Sequence, residues 1–106
     1  MFKVMFFLYR RGDLRAEEFQ RYSRDVHMPL VRRVPGLERY VVNHVVANPT
    51  GAENACDAVA ELSFASAEAF QAALGSSEGQ AALADQANYL DTSRSHALVV
   101  DELHGL

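Results

Sequence analysis

The 106-residue chain has one cysteine, three prolines and no tryptophan, and its ten basic side chains are outnumbered by fourteen acidic ones. A lone cysteine, Cys56, excludes an internal disulfide and fits a reducing compartment, so the cytoplasm is the expected location. The net charge of −4 argues against nucleic acid as a partner, because no basic cluster exceeds Arg10-Arg11 or Arg32-Arg33 and neither pair is interleaved with stacking aromatics. No apolar run is long enough to span a bilayer, and no membrane association is expected. The opening stretch from Met1 to Tyr9 is apolar but short. Arg10-Arg11-Gly12-Asp13 follows it at once, with no small-residue cleavage site, so it reads as a buried strand and not as a leader. The six glycines are scattered, which leaves no phosphate-cradling loop and no expected nucleotide. His27, His44, His96 and His104 lack the HxH or HxxxH spacing of metal ligands, and no cofactor is expected.

What is present belongs to a globular protein: 49% hydrophobic and 23% charged residues, in a length that suits one domain over residues 1–106. Residues 2–10 are apolar on both alternating faces, so both must be covered. After the Gly12-Asp13 turn, residues 15–34 predict an amphipathic helix with Phe19, Tyr22, Val26 and Leu30 on its buried stripe. On that helical wheel His27 falls at the border of the stripe, between core and water. Pro29, two residues on, has no N–H for the carbonyl of Asp25 and should loosen the turn. A histidine beside a loosened turn can be aimed at a ligand.

Pro35-Gly36 ends the helix. A β-branched second strand over 37–47 follows, then a turn at Asn48-Pro49-Thr50-Gly51 whose loop runs to Asn54 or Ala55. A third strand is expected over 56–64, and a hydroxyl-capped helix begins at Ser66-Ala67-Glu68 and ends at Gly75. A weakly amphipathic helix over 76–87, a loop over 88–95 and a last strand over 96–103 complete the chain, with residues 103–106 frayed or held by a partner. The order strand, helix, strand, strand, helix, strand is the α+β, ferredoxin-like βαββαβ arrangement, a four-stranded antiparallel sheet with helices on one face. The other face is then open yet apolar. A second copy laid sheet to sheet is the simplest cover, which predicts a homodimer with a cavity between the sheets where Ala58 and Ala60 leave room.

Val26-His27, Pro35-Gly36-Leu37 with Tyr40, Asn48-Pro49-Thr50, and Glu61 with Phe64-Ala65-Ser66 together resemble, over nearly the whole chain, the EthD-like family of dimeric α+β barrel proteins. That family is named for a protein associated with ethyl tert-butyl ether degradation. The pattern is also similar to that of the 4-methylmuconolactone methylisomerases of aromatic catabolism, on the same barrel. This similarity implies catalytic roles for His27 on the first helix and Tyr40 on the second strand. It then breaks off. Where the methylisomerases have a loop histidine, this chain has Glu53 or, one register earlier, Ala52; where they have a third-strand cysteine, it has Leu62. Cys56 is no substitute, lying about 20 Å away along an extended strand.

Strand parity groups Tyr40 with Val42, His44 and Val46, and Leu62 with Ala58, Ala60 and Phe64. The expected pocket is therefore mostly apolar, with His27 and Tyr40 as catalytic candidates and His44, Glu53, Ala60, Leu62 and Phe64 as ligand contacts. Its partner would be a small apolar or aromatic-derived molecule. Three functions stay open: a cofactor-independent isomerase, lyase or cyclase working by proton transfer; a cofactor-free monooxygenase; and a non-catalytic ligand-binding or accessory protein of a degradation pathway.

Overall fold

In the computed structural model, which describes residues 1–53 and 55–106, four strands form one sheet: β1 (Phe2–Leu8), β2 (Leu37–His44), β3 (Ala58–Phe64) and β4 (His96–Val100). Their order is β2-β3-β1-β4 and every neighbouring pair is antiparallel. That is the ferredoxin-like sheet, with the helices on one face. The register sets Phe6 beside Ala60 and Val42 across from Ala60 on the other side, so one face gathers Val4, Phe6, Leu8, Val42, Ala58, Ala60 and Phe64. Small residues on the central β3 let the helices settle closely on this face, where Ala58 is fully buried.

All four strands are shorter than the sequence suggests. β1 stops at Leu8, although Arg10 still bridges to Leu90. β2 ends at His44, opposite Ala58, though the Val45 N–H still bonds the Asp57 carbonyl at 2.9 Å; the Asp57 carboxylate accepts the Arg10 backbone N–H at 2.8 Å. β4 ends at Val100, which pairs with Lys3, leaving residues 101–103 almost no strand to lie against. The expected loop end at Asn54 lies outside the described residues.

The first helical segment is not one regular helix. It comprises α1 (Ala16–Tyr22), a π-helical turn (Ser23–His27) and α2 (Met28–Val31). Pro29 cannot donate to the Asp25 carbonyl, and the N–H of Met28 reaches five residues back to Ser23. The wider turn takes in one extra residue and rotates everything after it. Val26, expected on the buried stripe, is 41% exposed, whereas His27, expected at its border, is 8% exposed. Val31 replaces Leu30 as the buried residue of the next turn.

Two further helices, α3 (Ala67–Gly75) and α4 (Ser77–Asp85), start on serine caps: Ser66 Oγ accepts from the Ala69 N–H at 3.1 Å and Ser76 Oγ from the Gly79 N–H at 3.0 Å. A Cβ at Gly79 would collide with the Ala73 carbonyl, so only glycine lets α4 turn so tightly against α3. After a short 3₁₀ turn (Gln86–Asn88) the chain enters the stretch expected to be a loop. It is loop by backbone but core by burial, because Tyr89 and Leu90 are 1% and 3% exposed. Backbone bonds from Arg11 N–H to the Tyr89 carbonyl and from Asp91 N–H to the Tyr9 carbonyl tie it to the end of β1.

Candidate functional site

Between the sheet and the helices lies a partly open cleft with a cavity volume of about 70 Å³. That is room for several waters or one compact ligand. Ala58 and Ala60, expected to leave room between two sheets, face the helices of their own chain instead, and Ala60 lines the cleft there. The lining is mostly apolar, with Phe6, Leu8, Val42, Ala60, Leu62 and Phe64 from the sheet and Val31, Val34, Phe70, Leu74 and Leu83 from the helical side. Its polar groups are Ser23, His27, Tyr40, Gln86 and Tyr89.

The π-helical turn brings His27 into this cleft. Its Nδ1 lies 2.9 Å from Asp85 Oδ2. The other oxygen of Asp85 accepts from the Tyr22 hydroxyl at 2.6 Å and from Asn88 Nδ2 at 3.0 Å. A carboxylate held this way accepts a proton-bearing Nδ1, leaving the lone pair on Nε2. Nε2 makes no hydrogen bond to a described residue. Among these residues no fully buried side-chain nitrogen or oxygen lacks a partner, so Nε2 is accessible, and His27 is one of the residues that line the cleft.

The electrostatics favour a neutral ring. Burial pulls the His27 pKa below its usual value, and the opposing pull of Asp85 is smaller. For Asp85, burial pushes upward, but the hydrogen bonds from Tyr22, Asn88 and His27 together win and hold it below the usual carboxylate range. Burial raises Tyr40 to about 12, with the charge of Arg32 opposing, so its hydroxyl keeps its proton. Tyr89 is raised further still by burial, helped by the nearby Tyr40, Asp85 and Tyr22.

Tyr40, Ala60, Leu62 and Phe64 line the cleft together with His27, as strand parity predicts. His44 stands one step back: its Nε2 lies 3.1 Å from Ser23 Oγ, and Ser23 itself lines the cleft. Burial, followed by the charge of Arg24, lowers the His44 pKa. Glu53 is exposed in the connection after β2, outside the cleft lining; Ser23, Gln86 and Tyr89 contribute polar groups there in its stead. Cys56 is half-buried with its thiol pKa raised by burial and by Asp57, the reverse of an activated nucleophile.

Asp85, Tyr22, Asn88 and Tyr89 were not legible as site residues. Tyr22 carried a signal, since it lies one turn from His27, but Asp85 is 58 residues further along and meets the histidine only through the fold. Among the described residues no three His, Cys, Asp or Glu side chains are grouped as a metal ion requires, and no helix is long and apolar enough to cross a membrane.

The fold is shared with solved structures. An ethyl tert-butyl ether degradation (EthD) family protein from Bacillus halodurans C-125 superposes with a TM-score of 0.82 at 24% identity, over 97% of this chain and 100% of that one. HapK from Hahella chejuensis gives 0.71 at 15% identity over 100% and 95%. A dimeric ferredoxin-like protein of unknown function from Thermobifida fusca YX gives 0.73 at 15% identity over 95% and 90%. No curated protein matches the chain. Residues 11–93, most of its length, match the EthD domain, and the chain belongs to that family.

Proposed function

We propose that the protein binds a small, mainly apolar carbonyl compound, of the kind formed in the breakdown of aromatic molecules, in the cleft between sheet and helices. There it catalyses cofactor-independent proton transfer with His27 as the base and Tyr40 as a hydrogen-bond donor to the carbonyl oxygen. The carrying observation is the 2.9 Å contact between His27 Nδ1 and Asp85, which leaves Nε2 as the free lone pair in an apolar cleft. A neutral imidazole can take a proton there. A hydroxyl that keeps its own proton can steady the negative oxygen that results. The test is deuterium uptake: small enolisable lactones and cyclic ketones are incubated with the protein in D₂O and followed by NMR. Exchange above the buffer rate that disappears in His27→Gln supports the reading, and equal exchange in the variant ends it. Compounds that shift protein resonances on binding but never exchange would favour the non-catalytic ligand carrier.

We further propose that the active form is a homodimer joined through the open faces of the sheet. Met5, Phe7, Val41, Val59 and Leu98 share that face, the first four half-buried and Leu98, on the edge strand β4, 53% exposed. An apolar face left open on one sheet favours cover by another. Sedimentation velocity should give a species of twice the 11.7 kDa chain mass, and Leu98→Lys should shift it toward monomer. A monodisperse wild-type monomer at micromolar concentration would rule the dimer out.

A further inference from the structure

Tyr89 is the most deeply buried large side chain of the protein that carries a polar group, at 1% exposure. Its ring is gripped on several sides: centroids of Phe19, Tyr22 and His27 lie 5.5, 5.2 and 4.8 Å away. A phenylalanine would serve that packing equally well. The hydroxyl, however, bonds to no described residue and is not sealed in, and Tyr89 lines the cleft. A hydroxyl with no protein acceptor at the wall of an apolar cleft is free to donate to an acceptor arriving there. Tyr40 presents a second such hydroxyl from the sheet, again with no protein partner among the described residues.

We infer that Tyr89 is a second ligand-binding residue, and that the Tyr40 and Tyr89 hydroxyls together hold the oxygen of an enolisable carbonyl compound whose adjacent C–H faces His27 Nε2. This rests on the reading of the cleft given above and narrows its substrate class. The step balances without any other reactant. Nε2 takes the proton from carbon, the C–H electron pair becomes the enolate double bond, and the carbonyl π pair moves onto the oxygen between the two O–H donors. Return of the proton to a different carbon completes an isomerisation. Both hydroxyls stay protonated, held so first by burial, and both are thus donors when negative charge develops.

The test uses 4-nitrophenolate as a stand-in for the enolate and 4-nitrotoluene as an apolar probe of the same shape, each titrated into the wild-type protein and into Tyr89→Phe. Because no proton is abstracted, the outcome does not depend on whether His27 is the base. The expected result is tighter binding of the phenolate than of nitrotoluene by the wild-type protein. Tyr89→Phe should weaken the phenolate about tenfold, the loss of one hydrogen bond to a charged acceptor, and leave nitrotoluene unchanged. The substitution keeps the ring and its packing, and a thermal melt matching wild type verifies the fold. Nitrotoluene binding with no phenolate loss in Tyr89→Phe would overturn the inference while sparing the cleft. Failure of both probes to bind wild type would remove the cleft and the inference together.

Discussion

Replacing Asp85 by asparagine should leave the protein folded and abolish its proton-transfer activity, because the substitution reverses which nitrogen of His27 carries the proton. Asp85 Oδ1 receives two donors, the Tyr22 hydroxyl and Asn88 Nδ2, and the residue is 8% exposed. In the variant that position must remain an oxygen, or two N–H and O–H donors would face a third. The new amide nitrogen is therefore forced onto the side of His27, where it donates to Nδ1. The imidazole then carries its proton on Nε2, pointing into the cleft as a donor and no longer as a base. The expected activity loss is about 10²–10⁴-fold, the usual contribution of a positioned general base. Nitrogen-15 shifts of His27 give the readout a purely structural role would not move: protonated Nδ1 in the wild-type protein, protonated Nε2 in Asp85→Asn. An unchanged tautomer would refute the argument. Asp85→Ala should behave differently, since it leaves the buried Nδ1–H of His27 without its acceptor, while the half-buried Tyr22 hydroxyl and the exposed Asn88 amide can turn to water. Its unfolding free energy should fall by about 1–3 kcal/mol, measured by urea denaturation.

The contrast between Asp85 and His27 marks how far residue patterns reach. The sheet was legible because strand alternation and turn residues are local: Tyr40, Val42, Ala60, Leu62 and Phe64 share a face by parity alone, and the register confirms that face. The first helix was legible in position and misread in phase. Pro29 announces a disturbance, but whether the chain kinks or widens into a π turn depends on what the rotated face can bury. Here the rotation puts Ser23, His27 and Val31 inward and leaves Val26 outside. Tyr89 and Asp85 had no local mark at all. An aspartate at the end of an alanine-rich helix looks solvated, and a tyrosine in a loop looks exposed, until the tie between residues 89–91 and the end of β1 lays both against the histidine. Composition showed that β3 is lined with small residues, but only the packing of the helices shows which space those residues vacate.

His27→Gln should lower the deuterium-exchange rate of a bound carbon acid by about 10²–10⁴-fold while the wild-type rate shows an acid limb centred below pH 6.5, the ordinary histidine value. The position of that limb follows from the sign of the shift. Burial disfavours the charged ring more than Asp85 favours it, so the folded protein protonates His27 only at a pH lower than the unfolded chain does. Above about pH 6.5 both states are neutral here and the rate is flat with respect to this group. Below the folded value the rate falls about tenfold per pH unit as the base is consumed. Stability moves in the same sense. As pH drops beneath 6.5 the unfolded chain binds its proton first, and the stability contributed by a neutral, buried His27 is lost between the unfolded and the folded pKa. Asp85, depressed below 3.8, loses its contribution as pH falls from 3.8 through its own folded value, so the two windows separate, and the upper one belongs to His27 and to His44, whose pKa burial also lowers. In urea titrations from about pH 8 down to about pH 5, His27→Gln should therefore show a shallower downward slope than the wild-type protein, keeping only the part that His44 contributes. A kinetic midpoint above 6.5 would mean that the carboxylate of Asp85 outweighs burial, and that His27 enters the cleft as an acid.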